Sequence, residues 1–112
     1  MNTEEQPDKR RIILVADDED IVYDILSLSL EDKYQTLRAK SGEEAIKIID
    51  DRMLSGKGLD FVLSDGTMPP LSGREVAAHV SKTYPNLPVA LYTGEAERYS
   101  DVQRLEIGRA HV

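Results

Sequence analysis

The sequence contains no cysteine, no long apolar run and no excess of basic residues. The absence of cysteine excludes disulfides, thiol catalysis and cysteine-based zinc sites. Because 14 lysines and arginines face 21 aspartates and glutamates, the basic footprint of a nucleic-acid-binding protein is missing. No apolar stretch is long enough to span a bilayer, and the polar start MNTEEQPDKRR is not a signal peptide. These absences favour a cytoplasmic location, with neither a membrane nor a nucleic acid as a direct partner.

The length and composition suit one globular domain with one ordinary core. The chain has 112 residues, of which 40% are hydrophobic. Residues 1–10 are polar and are predicted to form a disordered lead-in, so the domain is expected to begin at Arg11.

Short apolar segments alternate with segments of helical periodicity along the chain. The predicted strands are RIILVAD, YQTLRAK, LDFVLSD and LPVALYTG, and the predicted helices are DIVYDILSLSLED, SGEEAIKIIDDRML, SGREVAAHVSKTYP and EAERYSDVQRLE. RIILVAD is continuously apolar, as in a strand buried on both faces, whereas the more polar YQTLRAK fits a sheet edge. Ser41 and Glu44 have the spacing of a capping box. Strand–helix alternation at this pitch predicts a parallel sheet with helices on both faces.

Three of the predicted strands end on polar residues: Asp17-Asp18, Asp65 and Thr93-Gly94. In an open α/β sheet, the ligand crevice lies at the carboxyl ends of the strands. Three carboxylates in one crevice repel one another unless a cation or a proton neutralises them, and oxygen ligands suit Mg²⁺. Asp65 could then attack phosphorus and become an acyl phosphate, with Thr93 bound to a phosphoryl oxygen. Taken alone, the acids at 17–20 also fit a negatively charged helix start, and Asp65 a turn.

Three stretches, ILVADDED, DFVLSDGTMPPLSG and VALYTGE, follow one another in order between Arg11 and Leu105. Together they resemble the receiver domain of bacterial two-component response regulators. The first is similar to that family's first strand with its acidic pair. The second is similar to its phosphoacceptor loop, and the third to its fourth strand with a switch hydroxyl.

The resemblance implies a flavodoxin-like, doubly wound parallel sheet and a role for each matching residue. Asp65 would accept a phosphoryl group from a histidine kinase. Asp17 or Asp18, together with Asp65 and the backbone carbonyl of Thr67, would hold Mg²⁺. Thr93 would move toward the phosphoryl group and switch a protein-interaction face.

The implied partners are a sensor histidine kinase or phosphotransfer protein as donor and an effector domain or protein as output. Such a domain assists its own phosphorylation and dephosphorylation but is not an enzyme acting on an external substrate.

The sequence departs from the family at Gly66, at Gly94, where a small residue such as alanine is usual and glycine is tolerable, and at its end. Gly66 replaces the bulky apolar residue usual after the acceptor. The family's lysine at the close of a fifth strand would fall just beyond Val112, so we expect strand order 2-1-3-4, with the fifth strand and fifth helix missing.

The final stretch IGRAHV, residues 107–112, suggests a reason for that departure. One frame of a widely used short-read sequencing adapter would encode it before a stop codon. We therefore expect an incomplete receiver domain at 11–106 and a non-native tail at 107–112. The alternative is a native helix end with Gly108 at its C-cap.

The expected truncation has physical consequences. It would make Val89 to Tyr92 an edge strand, which could support a dimer. We expect weak stability, or stabilisation by association, and slow or absent phosphorylation.

Two other functional classes remain as alternatives. Haloacid-dehalogenase-like phosphatases carry Asp-x-Asp-Gly-Thr after a strand, and SDGT fits the end of that motif. The nucleophile would then fall at Leu63, which cannot attack phosphorus. A receiver-like interaction domain that is never phosphorylated is the second alternative.

Overall fold

The computed structural model of the protein describes residues 9–69, 71–92 and 106–107, the last two only as a strand. The predictions for Thr93 and Gly94 lie outside these residues, as do almost all of the helix expected over EAERYSDVQRLE and most of the lead-in and tail. The elements are β1 (Arg11–Ala16), α1 (Asp20–Leu30), β2 (Tyr34–Ala39), α2 (Gly42–Ser55), β3 (Phe61–Asp65), α3 (Gly73–Thr83), β4 (Val89–Tyr92) and β5 (Glu106–Ile107).

The strands form one sheet in the order β2-β1-β3-β4-β5. The first four are parallel, which confirms the predicted α/β sheet with order 2-1-3-4. The more polar β2 lies at the edge, as its composition predicted. The register pairs Ala16 of β1 with Ser64 of β3, and Asp65 with Tyr92 of β4. The carboxyl ends of β1, β3 and β4 are therefore level with one another.

A fifth strand corrects one prediction. Val89–Tyr92 was expected to be an edge strand with no fifth strand beside it, but β5 pairs with it antiparallel, Ile107 opposite Ala90 and Glu106 opposite Leu91. An unpaired edge leaves N–H and C=O groups available to another segment, and here a segment of the same chain uses them. At these two positions the edge predicted to support a dimer is therefore occupied from within the chain.

The sheet has an apolar cluster on each face. One packs β1, β3 and β4 against α2 and α3, with Ile49, Val76 and Val80 fully buried. The other packs alternate residues of the same strands against Val22 and Leu26 of α1. All residues of α1 are described and none of them is fully buried, so α1 contacts the sheet less closely than α2 and α3 do. Among the described residues, no helix has the length and apolarity needed to cross a membrane.

Serine residues cap the two helices that follow strands β2 and β3. Ser41 Oγ accepts from the Glu44 N–H at 3.0 Å, as predicted, but the Glu44 carboxylate accepts from Lys40 N rather than from Ser41 N. Ser72 and Glu75 form a complete capping box at the start of α3. This box fixes the beginning of α3 directly after the loop that follows β3.

A polar contact joins α2 to α3 away from these strand ends. The Asp50 carboxylate lies 2.8 Å from His79 Nε2 and accepts from the Tyr84 hydroxyl at 2.7 Å. The hydrogen bond from His79 holds the pKa of Asp50 below its usual value. His79 is half-buried in this contact between helices.

Candidate functional site

Three carboxylates converge at the carboxyl end of the sheet. One oxygen from each of Asp17, Asp18 and Asp65 lies within 4.8 Å of the other two. Asp17 is fully buried and Asp65 nearly so, whereas Asp18 is exposed. The cluster therefore opens to solvent on the side of Asp18.

The pleat of the strands explains this convergence. Successive side chains of a strand point to opposite faces, so residues two apart share a face. Ile13, Leu63 and Ala90 pack on the α1 face of the sheet. Counting onward by twos places Asp17, Asp65 and Tyr92 at the ends of their strands on that face. Because the strand ends are level, these three side chains meet.

Asp65 is held from its own loop. Its Oδ1 accepts from the Thr67 N–H at 3.0 Å and from the Thr67 hydroxyl at 3.2 Å. Burial raises the pKa of Asp65, and the negative charges of Asp17 and Asp18 raise it further, while the bonds from Thr67 lower it. The ionised carboxylate is therefore disfavoured unless a positive charge compensates it.

The backbone of Asp65 packs tightly against the start of α3. A Cβ atom built on Gly73 would lie 2.1 Å from the Asp65 carbonyl oxygen and 2.9 Å from Ser64 Oγ. Ser64 is fully buried, and its hydroxyl donates to the same carbonyl oxygen at 3.0 Å. Only glycine at position 73 allows this approach, which places the helix directly beside the acid.

Both oxygens of the Asp17 carboxylate accept hydrogen bonds. Oδ1 accepts from the Glu19 N–H at 2.7 Å, and Oδ2 accepts from the Tyr92 hydroxyl. The Tyr92 carbonyl in turn accepts from the Gly66 N–H at 2.8 Å. One residue at the end of β4 thus contacts both Asp17 and the loop that follows Asp65.

Arg38, on the edge strand β2, holds the backbone of Asp17. Its Nη2 and Nε donate to the Asp17 carbonyl at 3.0 and 3.3 Å. Its Nη1 donates to Asp20 at 2.6 Å, and the guanidinium carbon lies 4.9 Å from the centroid of the Tyr23 ring. The ion pair with Arg38 lowers the pKa of Asp20.

We expect Arg38→Met, which keeps the apolar stem, to lower the free energy of unfolding by about 1–2 kcal/mol, because a partly buried carbonyl loses its charged donor. Asp20→Asn, the matched control, removes only an exposed ion pair and should change stability much less than Arg38→Met does. Urea unfolding of both variants measures the difference. Equal losses would mean that the guanidinium acts through Asp20 and not through Asp17.

The structure brings together three of the predicted site residues, Asp17, Asp18 and Asp65. Thr67 lies beside Asp65, but its described contacts come from its N–H and hydroxyl, so its carbonyl as a metal ligand stays a prediction. Thr93 lies outside the described residues and also stays a prediction.

Two residues in the site were not predicted. The apolar pattern of β4 fits Tyr92 as a core or rim residue and does not indicate its contact with Asp17. Arg38 gave no signal, because an arginine on a polar edge strand is ordinary.

Comparison with known proteins identifies the family. A family model described as the response regulator receiver domain matches residues 13–111. The chain belongs to this family. The receiver domain is the phosphoacceptor module of two-component signalling, which agrees with an acidic cluster around one buried aspartate. The family match disfavours the phosphatase alternative. The position of the phosphatase nucleophile also falls on Leu63, which is buried in β3 and cannot attack phosphorus.

Curated relatives of this receiver domain are longer regulatory proteins. It is 36% identical over 99 residues to the uncharacterized transcriptional regulatory protein YrkP of Bacillus subtilis, covering 88% of this chain and 39% of YrkP. It is 31% identical over 97 residues to the alkaline phosphatase synthesis transcriptional regulatory protein PhoP of the same organism, covering 86% of this chain and 38% of PhoP. The chain thus spans about two-fifths of the length of these relatives.

Solved receiver domains share its fold. The response regulator TrrA of Thermotoga maritima, solved in complex with Mg²⁺-BeF, is 35% identical with a TM-score of 0.65, covering 82% of this chain and 76% of that one. A receiver domain protein from Clostridium thermocellum is 28% identical with a TM-score of 0.66, covering 84% of this chain and 73% of that one.

The donor atoms of the acidic cluster fit a magnesium ion. Mg²⁺ prefers oxygen ligands and is usually bound through one or two carboxylates while keeping several waters. The cluster offers one oxygen from each of three aspartates, and exposed Asp18 leaves a side open to water. Burial and the charges of Asp17 and Asp18 raise the pKa of Asp65, so a cation bound beside it would favour its ionised form.

Proposed function

We propose that Asp65 is the phosphoacceptor of this receiver domain and that Asp17, Asp18, Asp65 and the Thr67 carbonyl hold Mg²⁺. The observation that carries the proposal is the convergence of three carboxylates around a nearly buried aspartate with a raised pKa. A bound Mg²⁺ would supply the positive charge that lets a carboxylate approach a phosphoryl dianion.

The hydrogen bonds of Asp65 favour one of its oxygens for the reaction. Among the described residues, the donors to this carboxylate are the N–H and hydroxyl of Thr67, and both bind Oδ1. Oδ2 would then form the new bond to phosphorus, while the bond from phosphorus to the donor breaks and the donor keeps the electron pair. With phosphohistidine the leaving atom is an imidazole nitrogen, and with acetyl phosphate it is an acetate oxygen.

The proposed partners follow from this chemistry. The donor is a sensor histidine kinase or a phosphotransfer protein, which implies the cytoplasm as the compartment. Phosphorylation adds a charge of about -1.5 to -2 at the site, by analogy with other phosphorylated side chains. Thr93 would respond to that charge and alter a face that binds an effector domain or protein. The domain would assist its own phosphorylation and dephosphorylation without acting on an external substrate.

Incubation with acetyl phosphate and Mg²⁺, followed by intact mass measurement, tests the proposal. We expect one phosphoryl adduct on the wild-type chain, formed slowly because the family's lysine is absent from residues 1–112, no adduct with EDTA and no adduct on Asp65→Asn. Asp50→Asn, which removes a half-buried carboxylate between α2 and α3, is the matched control and should keep the adduct. A wild-type chain that never gains the adduct would favour the interaction domain that is not phosphorylated.

A further inference from the structure

Tyr92 occupies an unusual position, because it contacts the acidic cluster through both its side chain and its backbone. Its hydroxyl donates to Asp17 Oδ2, and its carbonyl accepts from the Gly66 N–H at 2.8 Å. Its side chain packs in the apolar cluster on the α1 face and is 6% exposed. The residue therefore contacts one acid directly and the loop of the proposed acceptor through one hydrogen bond.

We propose that Tyr92 is a positioning residue of the magnesium site: its hydroxyl sets the orientation of the Asp17 carboxylate so that this acid can serve the ion together with Asp18 and Asp65. This inference rests on the metal site in the proposed function and adds a residue that is not among its ligands.

The surroundings of Asp17 explain why the hydroxyl matters. Asp17 is fully buried, so its carboxylate has no direct contact with bulk water that would replace a lost donor. With Oδ1 bound to the Glu19 N–H and Oδ2 bound to Tyr92, rotation of the carboxylate would break two hydrogen bonds at once. Hydrogen bonds that orient a ligating carboxylate contribute strongly to metal affinity, and their loss typically costs about 10- to 100-fold.

The hydroxyl of Tyr92 is a dependable donor, because a phenol keeps its proton throughout the neutral range.

A matched pair of substitutions tests the inference. Tyr92→Phe keeps the buried ring and removes the hydroxyl. Tyr84→Phe removes another tyrosine hydroxyl that donates to a carboxylate, at 2.7 Å from Asp50, which contacts α3 rather than the cluster. Calorimetric titration with Mg²⁺ alone should give a Kd about 10- to 100-fold weaker for Tyr92→Phe and an unchanged Kd for Tyr84→Phe.

The rate of phosphorylation by acetyl phosphate separates positioning from general damage. For Tyr92→Phe, we expect a slower rate at limiting Mg²⁺ and a rate close to wild type at saturating Mg²⁺. A Kd for Tyr92→Phe that is unchanged or tighter overturns the inference, and so does a wild-type chain that binds no Mg²⁺. If wild type binds Mg²⁺, Tyr92→Phe binds it more weakly and neither is phosphorylated, then the acceptor proposal fails while the positioning role stands.

A second measurement covers the case in which Tyr92→Phe does not fold. In the wild-type chain labelled with carbon-13 at the tyrosine ζ position, Mg²⁺ should shift the signal of Tyr92 and leave that of Tyr84 in place. A Tyr92 signal that stays fixed at saturating Mg²⁺ overturns the inference.

Discussion

Gly73→Ala is expected to lower the free energy of unfolding by about 3 kcal/mol, the upper part of the range for overpacked sites. The new Cβ would lie 2.1 Å from the carbonyl oxygen of Asp65 and 2.9 Å from its carbonyl carbon, distances that real contacts do not reach. Alanine is favoured over glycine within a helix by about 1 kcal/mol, so helix propensity alone predicts the opposite sign. The steric clash decides the sign of the stability change, because the Asp65 carbonyl group belongs to the backbone and cannot rotate away.

The structure offers a control in the same loop. A Cβ on Gly66 would lie 3.4 Å from the Tyr92 carbonyl oxygen, an ordinary contact, so Gly66→Ala should change stability by less than about 0.5 kcal/mol. Urea unfolding measures both variants. Because α3 would be pushed away from Asp65, we also expect Gly73→Ala to slow phosphorylation by acetyl phosphate. Equal stability of the two variants would mean that α3 can shift without cost.

Asp65→Asn is expected to stabilise the protein at neutral pH without Mg²⁺, by about 1 kcal/mol, the usual size of a single-residue effect. The substitution removes one of three clustered charges, and the asparagine carbonyl can still accept the bonds from Thr67. The raised folded-state pKa of Asp65 means that its contribution to stability is fully present below the unfolded pKa and is lost as pH rises through the folded pKa. The advantage of asparagine should therefore shrink as pH falls toward the unfolded value.

Asp50→Asn should change the stability of the protein in the opposite direction. The pKa of Asp50 is lowered in the folded state, so its contribution is present above the unfolded pKa and is lost as pH falls through the folded pKa. At neutral pH, Asp50→Asn should destabilise the protein where Asp65→Asn stabilises it. Mg²⁺ should raise the stability of wild type more than that of Asp65→Asn. Denaturant unfolding at several pH values, with and without Mg²⁺, would refute this account if Asp65→Asn proved less stable than wild type at neutral pH.

The parallel sheet and its central strands could be predicted from local patterns, whereas the order 2-1-3-4 was implied by the resemblance to the receiver family. Continuous apolar runs mark β1 and β3 as central, and the polar residues of β2 mark it as an edge. The pairing of β4 with β5 could not be predicted, because β5 spans two residues, Glu106 and Ile107, and has no periodicity to detect. Its partner was set by the open edge of β4 and not by its own composition.

The acidic cluster could also be predicted, since Asp17, Asp18 and Asp65 follow strands whose ends must meet in a parallel sheet. The hydrogen bond between Tyr92 and Asp17 depends on the exact register of β4, which apolar patterns do not define. The contact of Arg38 with Asp17 could not be predicted without knowing how β2 lies beside β1, because its partner is a backbone carbonyl and not a side chain.

Because the Asp17 carboxylate accepts a hydrogen bond from the Glu19 N–H, it also stabilises the start of α1. Glu19 is the N-cap residue of α1, and its own side chain makes no capping bond, so Asp17 orders the turn that leads into the helix. An alanine at position 17 would both remove a candidate ligand and loosen the entry to α1, and the two losses could not be told apart. Asp18, exposed at the rim of the cluster, is the position where the ion's contribution can be measured with the least disturbance to the helix.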